Sequence, residues 1–331
     1  MIMERAALCR PLLQFTKDRN RQDCGHSLSD RLDFKADIIP QVCQAINTKS
    51  DNILEECMRW FGRVGLIVSF AMTGSVSAKP VSAEILDHPD KQGAKIEYFI
   101  RQPDGVGPWP TVIFLHGHQP FLNRPGGKAF VDWGVLDRFA NKGYLAVSVS
   151  LPGFGGSSGP ADFAGPFTQH AVEAVLAKLE TEKQVTPNRV LIEGISLGAV
   201  TAALNASHND HIAGLVLISG LYDLPTFLAH PKSAGAMSVK AAAIAQTGGS
   251  DGALRSRSAL FLASKIGANT LILNGGKDDR TDANQAALLA KAINASGGNA
   301  RAHIYPQFGH AIPVQARDAE VDAFIEVTLK P

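Results

Sequence analysis

The segment "IEGISLGAV", residues 192–200, is the stretch that most strongly determines the fold predicted for this chain. Gly194, Ser196 and Gly198 form the pattern G-x-S-x-G within it. The run "NRVLIE" before the serine predicts a short buried strand, and "SLGAVTAALNA" predicts the start of a helix. A strand, a sharp turn and a helix are the context in which a serine nucleophile is held. The glycines would prevent steric overlap where the backbone passes close to that turn.

The pattern alone does not assign a role to Ser196. The chain has 31 glycines, so such a short match also arises by chance. On this ground Ser196 could equally be a small residue at a strand end, or an elbow residue in an inactive hydrolase scaffold. The role of Ser196 therefore depends on which other residues the chain supplies.

Composition and charge are those of a globular protein. The 331 residues are 45% apolar and 19% charged, and the formal net charge is +1. This length suits one large or two ordinary domains. The charge balance gives no electrostatic reason to expect nucleic acid or an anionic membrane as a partner.

No cofactor and no metal are expected. All cysteines precede Met58, so a disulfide framework or a cysteine metal site is excluded from the main body of the chain. The sequence contains no H-E-x-x-H pattern. The run "GFGGSSG" at 153–159 follows a predicted strand, but Pro160 stands where a dinucleotide-binding loop would continue into a helix.

The run "MRWFGRVGLIVSFAMTGSVSA", residues 58–78, has the layout of a secretory signal peptide. Two arginines precede an uncharged, mostly apolar run at 64–74, and small residues close the segment. That run is too short to span a bilayer comfortably. We therefore expect a secreted or periplasmic protein, not held in a membrane, whose mature chain begins near Lys79. Residues 1–57 would be a mis-assigned or poorly ordered extension. The alternative is that 64–74 is a buried element of the fold.

Apolar strands and amphipathic helices alternate from about residue 95 onward. Strands are predicted at 95–100, 111–117, 144–150, 189–193, 212–220, 269–276 and 300–306. Helices are predicted at 129–143, 167–182, 196–206, 283–296 and 314–329. This alternation predicts an α/β fold in which a mostly parallel sheet is covered by helices on both faces. The stretch at about 225–258, rich in alanine, glycine and serine, interrupts it and predicts a short cap inserted into a single domain at 79–331.

Two further residues complete the chemistry that a serine nucleophile needs. A serine hydroxyl requires a base within hydrogen-bond reach, and the base requires an acid that orients it. In this fold type the order along the chain is serine, acid, histidine. Asp278 follows one predicted strand, and His310 lies in the loop after the last one. Other carboxylates near predicted strand ends remain alternatives for the acid: Asp223, Asp279 and Asp282.

Five motifs in this order carry a family resemblance. They are "FLHGH" (114–118), "LPGFGGSSG" (151–159), "GISLG" (194–198), "LNGGKDDR" (273–280) and "FGHA" (308–311). The chain from about residue 80 to its end resembles the α/β-hydrolase family, in particular the dienelactone-hydrolase-like and prolyl-oligopeptidase-like (S9) serine hydrolases. The resemblance implies Asp278 as the acid, because the family pattern G-x-x-D falls on residues 275–278.

An oxyanion hole and a pocket are also expected. Leu197, directly after the nucleophile at a helix start, would supply one backbone N–H to the developing oxyanion. By family position the second N–H would come from His118, with His116 supporting that loop from within. Either histidine could instead be an ordinary polar loop residue. His116 and three cap residues are the candidate pocket residues: Phe227, Leu228 and Met237.

Together these features predict a serine hydrolase that cleaves carboxylic esters through Ser196, Asp278 and His310 and an acyl-enzyme intermediate. Its substrate would be a small-molecule ester or, alternatively, a small peptide cleaved by an S9-like peptidase or amidase. Prolyl-oligopeptidase-like enzymes carry a large propeller domain before the hydrolase domain. Few residues separate the predicted cleavage site from the first predicted strand, which favours a small esterase. A non-catalytic binding protein on a hydrolase scaffold is the remaining alternative.

Overall fold

The structure is a computed structural model, and it describes residues 79–120 and 122–330. All of these residues belong to one contact unit of the chain, Ser75–Pro331. The predicted extension at 1–57 and the predicted signal peptide at 58–78 lie outside the described residues. Over the part of the chain that is described, no helix combines the length and the apolar character needed to cross a bilayer.

A single eight-stranded sheet forms the centre of the domain, in the order β1-β2-β4-β3-β5-β6-β7-β8. The strands are β1 (Ser82–Asp87), β2 (Lys95–Arg101), β3 (Trp109–Leu115), β4 (Leu145–Val149), β5 (Val185–Ile195), β6 (Ile212–Ile218), β7 (Asn269–Gly275) and β8 (Ala300–Tyr305). β1 and β2 are antiparallel to their neighbours, and the other pairs are parallel. The predicted α/β fold with a mostly parallel sheet is therefore confirmed.

Helices cover both faces of the sheet. Numbered along the described residues, they are α1 (Lys128–Asp132), α2 (Val135–Ala140), α3 (Pro166–Thr181), α4 (Leu197–Ala206), α5 (Leu224–Ala229), α6 (Ala234–Thr247), α7 (Asp251–Arg255), α8 (Ala283–Ala295) and α9 (Val314–Leu329), with a 3₁₀ helix at Ala259–Lys265. One core cluster packs α3, α4 and α8 on one face, and the other packs α1, α2 and α9 on the opposite face.

β5 shows how the sequence pattern places these two cores. Side chains alternate along a strand, so Val190 and Ile192 face the α3–α4 side while Leu191 faces the α9 side. All three are fully buried, because β5 lies in the middle of the sheet between β3 and β6. A parallel sheet covered on both faces needs such continuous apolar runs. The carboxyl end of β5 therefore carries Ser196 to the edge where ligand chemistry is expected.

Two features of the fold differ from the sequence prediction. The helix predicted at 129–143 is divided into α1 and α2, because Gly134 adopts a left-handed conformation with φ of 69°. The prediction also missed β1. This strand lies at the edge of the sheet and its side chains are mostly exposed, so its apolar pattern is weak. Neither difference moves the carboxyl ends of the central strands.

The stretch between β6 and β7 consists of α5, α6, α7 and the 3₁₀ helix. The cap predicted at about 225–258 corresponds to the three α-helices of this stretch. Three of its helix starts are capped by side chains, where Asp223, Ser233 and Ser250 accept hydrogen bonds from the first turn. These caps explain how a run of small residues forms defined helices.

Candidate active site

Ser196 occupies the turn between β5 and α4 in a strained backbone conformation. Its φ is 55° and its ψ is −115°, a region that residues other than glycine rarely adopt. The Ser196 N–H donates a 2.7 Å hydrogen bond to the carbonyl of Ile218 on the neighbouring strand, which fixes the turn. A side chain at Gly194 would overlap the Gly198 carbonyl, and one at Gly198 would overlap the Leu115 carbonyl. The G-x-S-x-G spacing thus meets a steric requirement of this turn.

His310 lies between Ser196 and Asp278. Its Nε2 is 3.0 Å from Ser196 Oγ, and its Nδ1 is 2.9 Å from Asp278 Oδ2 and 3.1 Å from Oδ1. The loop between β8 and α9 carries His310, and Ser219 Oγ donates a 2.8 Å hydrogen bond to the His310 carbonyl. Gly275 at the end of β7 lets this loop approach, since a side chain there would overlap the Gly309 carbonyl. The structure therefore brings the three residues predicted from sequence into one hydrogen-bonded row.

Asp278 is held as an ionised acceptor. Burial would raise the pKa of its carboxyl, but hydrogen bonds from His310 and Thr281, the charge of His310 and the Arg280 N–H outweigh burial and lower that pKa below its ordinary value. Its side chain is fully buried. An ionised carboxylate beside Nδ1 keeps the proton on that nitrogen, so Nε2 is free to accept one from the serine.

The three alternative carboxylates occupy other positions. Asp223 caps α5 by accepting a 3.1 Å hydrogen bond from the Thr226 N–H, and Asp282 caps α8. Asp279 is exposed and lines a cavity that also contacts Ser196 and His310. None of these three has a hydrogen bond to His310 within the described residues. Of the carboxylates considered from sequence, Asp278 is the one that contacts the histidine.

The loop after β3 lies directly against the serine turn. A Cβ placed on Gly117 would lie 3.1 Å from Ser196 Cβ, so the backbone at 117–118 passes beside the serine side chain. Leu197 begins α4, and the first N–H groups of a helix have no partner inside the helix. Neither the Leu197 N–H nor the His118 N–H has an acceptor within the described residues. Both groups are therefore free for a ligand bound at Ser196.

His116 supports this loop from inside. Its Nδ1 donates a 2.8 Å hydrogen bond to the Gly117 carbonyl, and its Nε2 accepts a 3.0 Å hydrogen bond from the Leu151 N–H. These partners fix the neutral tautomer with the proton on Nδ1. Burial lowers the pKa of His116 to about 4. Burial, Arg124 and Arg280 also lower the pKa of His118, so neither imidazole adds positive charge to the site at neutral pH.

A cavity of about 800 Å³ opens at Ser196 and His310. Its wall is mainly apolar and includes these aromatic and branched aliphatic residues: Phe130, Trp133, Phe163, Ile195, Leu197, Val200, Leu221 and Val239. The charged residues that line it are Asp279 and Arg280. This volume fits a small organic substrate with an apolar group.

The structure places the three pocket residues predicted in the cap away from the cavity wall. His116 lines the cavity, but Phe227 borders a second depression, Leu228 is buried in the core, and Met237 is 62% exposed outside the cavity wall. The cap helix α6 instead faces the cavity with a stripe of small residues at helical spacing: Gly235, Ser238, Val239 and Ala242. Met237 lies off this stripe by its position on the helix. A search for small residues at that spacing could have found the cavity side of α6.

Metal ligands are not grouped in the described part of the chain. Within residues 79–120 and 122–330, no three histidine, cysteine, aspartate or glutamate side chains come together in a way that could hold an ion.

Two family models match the chain. The model of the prolyl oligopeptidase family matches residues 167–330, which include β5 and everything after it. The model of the X-Pro dipeptidyl-peptidase (S15) family matches residues 92–231. No curated protein sequence matches the chain. The two matched regions together extend from β2 to α9.

Solved structures of hydrolases share this fold. The acylaminoacyl peptidase of Pyrococcus horikoshii has a TM-score of 0.61 and 19% identity over 77% of this chain, but only 43% of its own chain is covered. A puromycin-hydrolyzing peptidase of Mycobacterium tuberculosis has a TM-score of 0.63 and 21% identity over 76% of this chain and 39% of its own. An esterase of Pyrococcus furiosus has a TM-score of 0.58 and 16% identity over 77% of this chain and 93% of its own. The chain thus spans less than half the length of the two peptidases.

The likeness to these hydrolase structures covers about three quarters of the chain. The chain therefore contains an α/β-hydrolase domain that resembles the prolyl oligopeptidase family.

Proposed function

We propose that the domain is a serine hydrolase that cleaves carboxylic esters through an acyl-enzyme intermediate. The observation that carries the proposal is the position of His310, with Nε2 3.0 Å from Ser196 Oγ and Nδ1 2.9 Å from Asp278 Oδ2. A histidine held between a hydroxyl and a carboxylate can take the hydroxyl proton and keep the resulting charge stabilised.

The reaction proceeds in two halves. Ser196 Oγ attacks the acyl carbon as His310 Nε2 takes its proton, and the N–H groups of Leu197 and His118 stabilise the tetrahedral oxyanion. His310 then gives that proton to the leaving alkoxide as the bond between acyl carbon and alkoxide oxygen breaks. Water repeats the sequence on the acyl-enzyme, so the acid is released and Ser196 regains its proton.

Two observations support a small ester. The cavity is mainly apolar and has the volume of a site for a small organic molecule. The Pyrococcus furiosus esterase is matched over 93% of its own chain, whereas the two peptidases are matched over 43% and 39% of theirs. The matched domain therefore corresponds to nearly the whole of that esterase. It corresponds to only part of each peptidase.

A small-peptide substrate is the second candidate function. It is favoured by the match of residues 167–330 to the prolyl oligopeptidase family and of 92–231 to the X-Pro dipeptidyl-peptidase family. The same residues would then cleave an amide, with His310 protonating a leaving amine in place of an alkoxide.

A series of p-nitrophenyl esters of increasing acyl length, assayed beside aminoacyl-p-nitroanilides, separates the two candidates. We expect kcat/KM for short or medium esters to exceed that for every anilide. Faster turnover of the anilides would favour the peptidase.

A fluorophosphonate probe should label the wild-type chain and not Ser196→Ala, which should fold normally and lose at least ~10³-fold in ester turnover. Unlabelled wild-type protein without turnover would favour a non-catalytic binding protein.

A further inference from the structure

Glu193 is a buried carboxyl on the strand that carries the nucleophile. It lies three residues before Ser196 in β5, is 4% exposed, and pairs in the sheet with Phe114 on β3 and Val216 on β6. Because Glu193 shares its strand face with Leu191, its side chain lies in the apolar core beneath α9. Glutamate is rarely buried without a partner that requires it.

Its partner is Arg317 in the first turn of α9. Arg317 Nη1 lies 3.5 Å from Glu193 Oε1, and Arg317 Nε donates a 3.4 Å hydrogen bond to the carbonyl of Ile312. Ile312 follows His310 by two residues, so one guanidinium joins the strand that leads to Ser196 with the loop that carries His310. The Arg317 side chain is 9% exposed, which shields both contacts from water.

This pair is poorly suited to a purely stabilising role. Burial raises the pKa of Glu193, and Arg317 and Arg138 only partly oppose this effect. Glu193 Oε2 has no hydrogen-bond partner in the described part of the chain. Replacing such a buried pair with apolar side chains is often neutral or stabilising for a protein. What apolar side chains could not reproduce is the link from Glu193 to the Ile312 carbonyl.

We propose that Glu193 and Arg317 are positioning residues, which hold the His310 loop in register with the Ser196 turn. The inference rests on the proposed function of this site. Displacement of a catalytic group by about 1 Å can cost about 10²-fold in rate, so a loop two residues from His310 is a sensitive place for such a link.

The test is a double variant, Glu193→Met with Arg317→Met, which removes the link and leaves no buried charge behind. We expect melting near the wild-type temperature, a kcat at least about tenfold lower, and a KM changed by less than about twofold. A control variant removes the ion pair between the buried Arg101 and the exposed Asp137, which joins β2 to α2 at 3.0 Å. Arg101→Met with Asp137→Leu should leave kcat unchanged.

A second measurement needs no substrate. The low-field proton resonance of His310 Nδ1–H reports its hydrogen bond to Asp278, and we expect it to shift or broaden in the double variant but not in the control. A folded double variant with wild-type kcat and an unchanged resonance would overturn the proposal. If the wild-type chain turns over no ester, the proposed function fails while the resonance still decides the positioning role.

A conservative variant covers the case in which the double variant does not fold. Arg317→Lys keeps a cation beside Glu193 but lacks the second donor that reaches the Ile312 carbonyl. We expect it to fold and to lose several-fold in kcat with the same change in the His310 resonance. Unchanged kcat and resonance in Arg317→Lys would also overturn the proposal.

Discussion

Thr281 Oγ1 donates a 2.7 Å hydrogen bond to Asp278 Oδ2, the same oxygen that lies 2.9 Å from His310 Nδ1. The other oxygen, Oδ1, accepts from the Arg280 N–H at 2.8 Å and from the Thr281 N–H at 3.0 Å. Both oxygens are therefore directed by the turn that follows β7, and the carboxylate cannot rotate away from the histidine without losing several hydrogen bonds. Among the residues that the structure describes, the side chain of the neighbouring Asp279 has no comparable set of hydrogen bonds.

This difference predicts a clear ranking of two amide substitutions. Asp278→Asn should lower kcat by up to about 10⁴-fold, because an amide cannot stabilise the imidazolium and favours the wrong tautomer of His310. Asp279→Asn removes a charge from the cavity wall and serves as the matched control, with a change of less than about tenfold. Ester kinetics of the two purified variants check the ranking. If Asp279→Asn or Asp223→Asn is the more damaging change, Asp278 is not the acid.

The serine turn was predictable because its requirements are local. A strand, a serine between two glycines and a helix that follow one another without a break leave little choice of geometry. The approach of Asp278 and His310 to Ser196 was also predictable, because the carboxyl ends of parallel strands converge at one edge of the sheet. Asp278 lies in the loop after β7, and His310 lies in the loop after β8.

The cavity wall was not predictable in the same way. Which face of α6 turns inward depends on how that helix packs against the loop after β7. Gly235, for example, lies where a Cβ would be 2.7 Å from the Asp279 carbonyl oxygen, a constraint between segments far apart in sequence. Apolar character favoured Met237 as a pocket residue, whereas close approach requires small residues on the inner side. The division of the 129–143 helix at Gly134 likewise depends on a left-handed conformation that periodicity does not reveal.

The steric role of the elbow glycines gives a second prediction. Gly198→Ala should destabilise the protein and lower ester turnover by at least tenfold, because its Cβ would overlap backbone atoms of Leu115 and lie 2.8 Å from the His116 carbonyl oxygen. Gly252→Ala in α7 is the control, since a Cβ there meets nothing within 4 Å and alanine favours a helix. Thermal melting and ester kinetics are measured on both variants. Equal melting temperatures and equal ester turnover in the two variants would contradict a steric role for Gly198.

The lowered pKa of His116 predicts that the folded protein loses stability as the pH falls. Its pKa is lowered from 6.5 to about 4 by burial, so the unfolded chain binds the proton more tightly than the folded one. The contribution of neutral His116 to the free energy of unfolding is therefore fully present above pH 6.5. It is lost progressively as the pH falls toward about 4, and the total loss is about 3 kcal/mol. Denaturant unfolding at several pH values should show a shallower decline for His116→Gln, which can keep an acceptor for the Leu151 N–H but does not titrate. If the free energy of unfolding declines equally with pH in the wild type and in His116→Gln, His116 is not the responsible group.

The last prediction concerns residues 58–78, which we propose to be a signal peptide. The strands and the candidate site lie at Ser82 and beyond, so a chain that starts at Lys79 should keep the ester turnover of the full chain and nearly its melting temperature. Loss of even ~200 Å² of apolar contact would cost about 5 kcal/mol at ~25 cal/mol per Å² and would be visible in melting. In the native host, N-terminal sequencing of exported protein should begin near Lys79. Recovery of the protein only from the cytoplasm, with Met1 intact, would contradict export, and a large drop in melting temperature of the shortened chain would show that the removed residues pack against the domain.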